Sequence, residues 1–313
     1  MKLTEVWTLA APLVPELTSL ACPKRYCGDG RFHSQIGASA AVLGCLLDAH
    51  RAVRDGAPLS NPHEYDVMHQ LACMQVPTYF VAPALLKAAL ATTIPANFRW
   101  SALRWPLESM LFILPRGSVK LSDGQEFSYV AYAHHTPGVV QPASPLLPGV
   151  RYEEEVLSLT AGTEDGLSTA NAITITDTQP VLEATTDAVI DKTDALNLPG
   201  VPTDVCGLTR EVALKLILAL NARPELVVMG SQLRSAKCKH GRVRSELWSP
   251  NVIGGNYATR VDGSDAGDGE HGTAKRLHWV RGHYRQQPYG PRDTPRYETI
   301  WIEPFMAGSV LPA

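Results

Sequence analysis

Residues 107–115 read LESMLFILP and residues 127–134 read FSYVAYAH, and between them these two stretches decide the fold class. Met110-Leu111-Phe112-Ile113-Leu114 is a short apolar run bounded by Pro106 and by Pro115-Arg116-Gly117. Its length and its proline and glycine flanks predict a buried strand rather than a helix. Ser122-Asp123-Gly124 is a turn signal, and the aromatic run after it predicts a second strand beside the first in an antiparallel sheet. The Pro- and Gly-containing residues from Pro137 to Gly149 predict a loop. Beyond it, β-branched runs between Tyr152 and Thr176, such as Ala172-Ile173-Thr174-Ile175-Thr176, predict more sheet.

Helical patterns flank this sheet. Ser34 to Val53 places apolar residues at three- and four-residue spacing and is closed by Asp55-Gly56. A second helix is predicted around Glu64 to Met74 after Asn61-Pro62. A third runs from Ala82 to Ala91, with Pro83 in its first turn, where the missing N–H costs nothing. Leu208 to Asn221 is the clearest helix, with Thr209 as the expected N-cap and Pro224 as its stop. The expected architecture is a single α+β domain over residues 1–313, with N-terminal helices packed on a mainly antiparallel sheet and a C-terminal β-hairpin. Residues 177–203 and 261–272 are expected as flexible excursions from it.

The 313 residues are 45% hydrophobic and 19% charged, within the globular range. The formal net charge of −3 excludes a global field that draws the chain to nucleic acid or to an anionic membrane, so any such affinity must be local. No run of apolar residues is long enough for a transmembrane helix. Glu5, Pro12, Pro15 and Glu16 interrupt what would be the apolar part of a secretory signal. The expectation is a cytoplasmic protein with no membrane partner. Cys22, Cys27, Cys45, Cys73, Cys206 and Cys238 are scattered in a way that fits reduced thiols. Cys22, Cys27 and His33 could begin a zinc site, but no second Cys/His pair answers them. The Asp- and Gly-rich Asp262 to Gly272 fails as an EF-hand loop, since Ala266 stands at the fifth position. No metal and no cofactor is expected. P-loop, dinucleotide, HExxH and nucleophile-elbow motifs are all absent.

The chemistry-bearing residues concentrate in LHWVRGHYRQQPYGPRDTPRYETIWI, Leu277 to Ile302. Read as a strand, Leu277 to Arg285 puts Trp279, Arg281, His283 and Arg285 on one face and His278, Val280 and Tyr284 on the other. Gly282 has no side chain, so another backbone can approach closely there. Tyr297 to Glu303 returns as a second strand. Arg281, His283 and Arg285 in a row suit a carboxylate or phosphate, because guanidinium forks match planar anions. Tyr284, Tyr289 and Trp301 could stack on bases or line a peptide groove. The plainer reading pairs these arginines with Glu303, Glu298 and Asp293 and leaves the tryptophans to the core. A catalytic reading would use His278 and His283 as general acid and base, but on a regular strand they face opposite ways and no nucleophile answers them. Arg234, Lys237, Lys239, His240, Arg242 and Arg244 form a second basic stretch, read either as a solvated loop or as a phosphate-binding surface.

His278, Arg281, Gly282, His283 and Tyr284 resemble the His-x-x-Arg-Gly-His-aromatic run of a family of phage and mobile-element proteins that contains a type V-A anti-CRISPR protein. Leu214 to Leu220 followed by Pro224-Glu225 is similar to that family as well. Val280 departs from it, standing where a second basic residue is expected. The resemblance implies a binder rather than a catalyst. Its implied partner is the N-terminal segment of a CRISPR nuclease, met during translation with the ribosome or mRNA nearby, so that production of the nuclease is suppressed. The implied contacts are His278, Arg281, Gly282, His283, Tyr284, Arg285 and Trp301, with Arg234, Lys237, Lys239, Arg242 and Arg244 as a secondary patch. Two other classes remain open: a nucleic-acid-binding accessory protein of a mobile element, and a divergent hydrolase or nuclease.

Overall fold

The structure is a computed structural model describing residues 33, 35–57, 67–68, 78–121, 123–138, 152–164, 168–176, 204–230, 251–258, 278–293 and 295–307. Helix α1 spans Gln35–Arg54. Strand β1 (Thr78–Val81) leads through Ala82 into α2 (Pro83–Leu90), whose Pro83 sits in the first turn as expected. Next come β2 (Ser109–Ile113), β3 (Tyr129–His135), β4 (Glu155–Gly162) and β5 (Ser168–Ile175). Helix α3 (Asp204–Ala222) is followed by short β6 (Val227–Val228) and β7 (Asn251–Ile253). The C-terminal part holds β8 (His278–Val280), β9 (His283–Tyr289), β10 (Arg296–Ile302) and β11 (Phe305–Ala307).

The architecture is α+β, as the sequence implies. The main sheet has seven strands in the order β5-β4-β3-β2-β1-β7-β6. Strands β2 and β3 are antiparallel neighbours with Leu111 opposite Ala131, and β3, β4 and β5 continue the antiparallel run. The sheet is mixed, because β1 lies parallel to both β2 and β7. Parallel strands need a crossover, and α2 supplies part of the one from β1 to β2. Tyr129 to Ala133 are all fully buried, so β3 is covered on both faces.

Helix α3 holds the layers together. Val212, Ala213, Leu216, Ile217, Leu218 and Ala219 are fully buried, so the second half of the helix has no solvent-facing stripe, while Gly207 and Glu211 face solvent in the first half. It packs on β3, β4 and β5 on one side and meets α2 and β10 elsewhere on its surface. Lys215 is buried in that helix because its Nζ donates to the Leu90 carbonyl at 2.7 Å and to Glu211 Oε1 at 2.7 Å. A buried ammonium without such acceptors would cost several kcal/mol.

Two local expectations are corrected. Helix α3 begins at Asp204, ahead of the predicted Leu208, so Thr209 is not its N-cap. Its Oγ1 instead donates to the Val205 carbonyl at 2.8 Å, the back-bonding that a buried hydroxyl adopts inside a helix. Leu277 to Arg285 is not one strand: it breaks at Arg281-Gly282 into β8, which pairs with β11, and β9, which pairs with β10. Of the helix predicted over Glu64 to Met74, Val67 and Met68 are helical and the rest lies outside the described residues. Residues 177–203 and 261–272 lie outside them too.

Candidate functional site

The break in the strand has a visible cause. A Cβ on Gly282 would lie 2.7 Å from the Ile302 carbonyl oxygen, 2.7 Å from Pro304 Cδ and 2.8 Å from Pro304 N. The chain leaving β10 therefore passes directly over Gly282, the close approach that its missing side chain permits. The same point is fastened from the other side. Thr93 N donates to the Gly282 carbonyl at 3.0 Å, and Tyr284 N donates to the Thr93 carbonyl at 3.1 Å, joining β9 to the segment after α2.

From this anchor the hairpin alternates. Tyr284 has no exposed surface, and its phenol donates to the Lys215 carbonyl of α3 at 3.1 Å. Burial pushes that phenol's pKa well above its ordinary value, so it stays a donor at any physiological pH. Opposite it, Trp301 is 6% exposed, and its Nε1 donates to Thr92 Oγ1 at 3.0 Å. Trp301 stacks between two tyrosines, with centroids 5.8 Å from Tyr257 and 5.9 Å from Tyr284. Tyr284, Trp301 and Gly282 thus fix the hairpin to α3 and the segment after α2, and neither of these two rings is left open to a ligand.

The residues between them point outward. Arg281, His283 and Arg285 are exposed, and Ile302 and Ile300 sit opposite His283 and Arg285 in β10. Among the described residues, none forms an ion pair or side-chain hydrogen bond with Arg281, His283 or Arg285. The network expected with Glu303 does not form, because Glu303 pairs with Arg223 at the end of α3. His278 lies in β8, across the break from His283, and among the described residues no group of three or more His, Cys, Asp or Glu is placed to hold a metal ion. Cys22, Cys27, Arg234, Lys237, Lys239, Arg242 and Arg244 lie outside the described residues.

A cleft the sequence did not announce opens beside the hairpin. It encloses about 410 Å³ between the segment from Pro95 to Ser101 and the hairpin residues Arg285, Gln286 and Tyr297. Phe98, 1% exposed, is part of the lining, and Gln286 Nε2 donates to the Arg99 carbonyl at 3.2 Å, tying one wall to the other. Tyr297 stays 48% exposed at this place. The sequence offers only an arginine a few residues after Pro95 as a signal, which is too common a pattern to single out.

No helix among the described residues is long and apolar enough to cross a membrane. No curated protein matches the chain. A family model does, AcrVA2-like, described as the anti-CRISPR type V subtype A2 family, over residues 79–308, from β1 past the end of β11. That span takes in the main sheet, α3, the hairpin and the cleft, and with it the chain belongs to this anti-CRISPR family, in a type V-A counter-defence role that implies a CRISPR effector as its partner.

Proposed function

We propose that the chain binds the N-terminal segment of a type V-A CRISPR nuclease while that segment is being translated, and so suppresses production of the nuclease. Arg281, His283 and Arg285 make the polar contacts. Gly282, Tyr284 and Trp301 hold the strand that carries them, and His278, in β8, is assigned to the same contact set. What supports this reading is one arrangement: exposed Arg281, His283 and Arg285, with no ion-pair or side-chain hydrogen-bond partner among the described residues, on a hairpin whose β10 pairs only with β9 among them. An open strand edge gives an extended peptide a ladder of backbone groups, and side chains at alternate positions then read its sequence. Arg234, Lys237, Lys239, Arg242 and Arg244 are assigned to the ribosome or message side. The whole chain is read as one domain acting in the bacterial cytoplasm, on a phage or other mobile element's behalf.

Co-expression with a type V-A nuclease tests it, following both the nuclease and its message. The expected result is loss of both with the wild-type chain and recovery of both with Arg281→Ala/His283→Ala. Unchanged nuclease levels beside the wild-type chain would sink the reading.

A further inference from the structure

The cleft beside the hairpin has a composition that asks for an anion. Arg99 and Arg285 line it, and among the described residues no carboxylate does. Neither guanidinium is ion-paired among the described residues. Other exposed or half-buried arginines of the chain find an acidic neighbour, as Arg223 does with Glu303 and Arg116 does with Glu164. Asn97 and Ser101 add neutral hydrogen-bonding groups, and the buried Phe98 ring removes water from one side. Partial desolvation strengthens a charge-assisted hydrogen bond, and a guanidinium meets a carboxylate with two parallel N–H donors.

We propose that this cleft receives an aspartate or glutamate side chain of the segment bound on the hairpin, with Arg99 as its principal contact. The proposal rests on the peptide-binding reading above and adds a sequence requirement to it. Two features favour a peptide carboxylate over the phosphate of a nucleic acid. The cleft adjoins both hairpin strands, through Arg285 and Gln286 of β9 and Tyr297 of β10, so a residue leaving a paired strand can turn into it. The volume of about 410 Å³ holds one acidic side chain with its neighbouring backbone, and a chain of net charge −3 offers no wider field to gather a polyanion.

The test uses the full chain and synthetic peptides that tile the N-terminal segment of a type V-A nuclease. Binding is followed by calorimetry, and thermal unfolding checks each variant. Arg99→Ala is expected to weaken the best peptide about ten- to hundredfold, and Arg99→Lys to restore only part of it. One Asp→Asn or Glu→Gln change in that peptide is expected to cost a similar factor, with the two losses not adding when combined. Tight peptide binding that tolerates both changes overturns the acidic pocket and leaves the peptide-binding reading standing. Failure of every tile to bind removes both together. An RNA oligonucleotide that binds through Arg99, beside peptide binding that ignores it, reassigns the cleft to nucleic acid and overturns the proposal.

Discussion

Gly282→Ala is the sharpest perturbation the hairpin offers, because one added methyl meets three atoms that have little freedom to move. The new Cβ would stand 2.7 Å from the Ile302 carbonyl oxygen and 2.7 Å from Pro304 Cδ, with Pro304 N at 2.8 Å. Two of these are backbone and the third belongs to a proline ring, so no side-chain rotation relieves the contact. Overpacking in a well-filled region costs about 1–3 kcal/mol, and a rigid neighbour puts this site toward the upper end. Shifting Gly282 away from Pro304 also strains the Thr93 N to Gly282 carbonyl bond of 3.0 Å. Losing that bond adds about 1 kcal/mol. The expected loss is therefore about 2–4 kcal/mol, read as a lowered urea midpoint with an unchanged slope. Gly290→Ala is the comparison: its φ of +89° is strained for alanine but nothing lies within 4 Å, so about 1–2 kcal/mol is expected from backbone strain alone. A second variant isolates the contact itself. Pro304→Ala removes Cδ, so Gly282→Ala should cost less in that background than in the wild type. A loss below about 0.5 kcal/mol for Gly282→Ala, or full additivity with Pro304→Ala, would refute the crossing argument.

Three further outcomes follow from other parts of the fold. Gly207 lies in α3, and a Cβ added there would meet nothing within 4 Å, so Gly207→Ala should stabilise by about 0.5–1 kcal/mol in chemical denaturation, helix propensity being the sole term. Tyr284→Phe removes the buried phenol that donates to the Lys215 carbonyl and should cost about 1 kcal/mol in the same measurement, while the ring stacking with Trp301 persists in aromatic circular dichroism. His134 gives a pH signature. Burial, with the Trp105 ring stacked 4.3 Å away, lowers its pKa below the ordinary 6.5; the Glu155 carboxylate at 2.6 Å pulls the other way, with smaller effects from His135 and Glu108. The unfolded chain therefore takes up the proton first as pH falls. Its contribution is complete above about pH 6.5 and is lost as pH falls through the folded value, so the stability gap between wild type and His134→Gln should narrow as pH falls below about 6.5. A gap independent of pH would count against it.

How much of this was legible depends on whether a signal was local. Strands β2 and β3 and the helix at Pro83 could be read because period, flanking prolines and glycines and turn residues all lie within a few positions of each element. The same holds for α3, although its first turn was missed: Thr209 looks like a cap in isolation, and only burial against the sheet turns its hydroxyl back to Val205. The parallel neighbours β1 and β7 were not separable from loops, since Thr78–Val81 and Asn251–Ile253 are short and their pairing spans more than half of the chain. The cleft was invisible for the same reason, Arg99 and Tyr297 being brought together by packing alone.

The hairpin shows the limit most clearly, and it bears on what a motif match can mean. Within the Arg-Gly-His-aromatic run, Gly282 answers to the Ile302–Pro304 crossing and Tyr284 to a carbonyl of α3, while Arg281 and His283 answer to nothing inside the described protein. Half of the run is therefore a requirement of folding and half is free to serve a partner. A chain that kept Gly282 and Tyr284 but exchanged Arg281 and His283 would be expected to build the same hairpin and to lose the target. Measured side by side, Arg281→Ala/His283→Ala should leave unfolding stability within about 0.5 kcal/mol of wild type and abolish nuclease suppression, whereas Gly282→Ala should damage both. Equal destabilisation by the two variants would mean that the outward row is structural after all, and the division of labour within the hairpin would have to be abandoned.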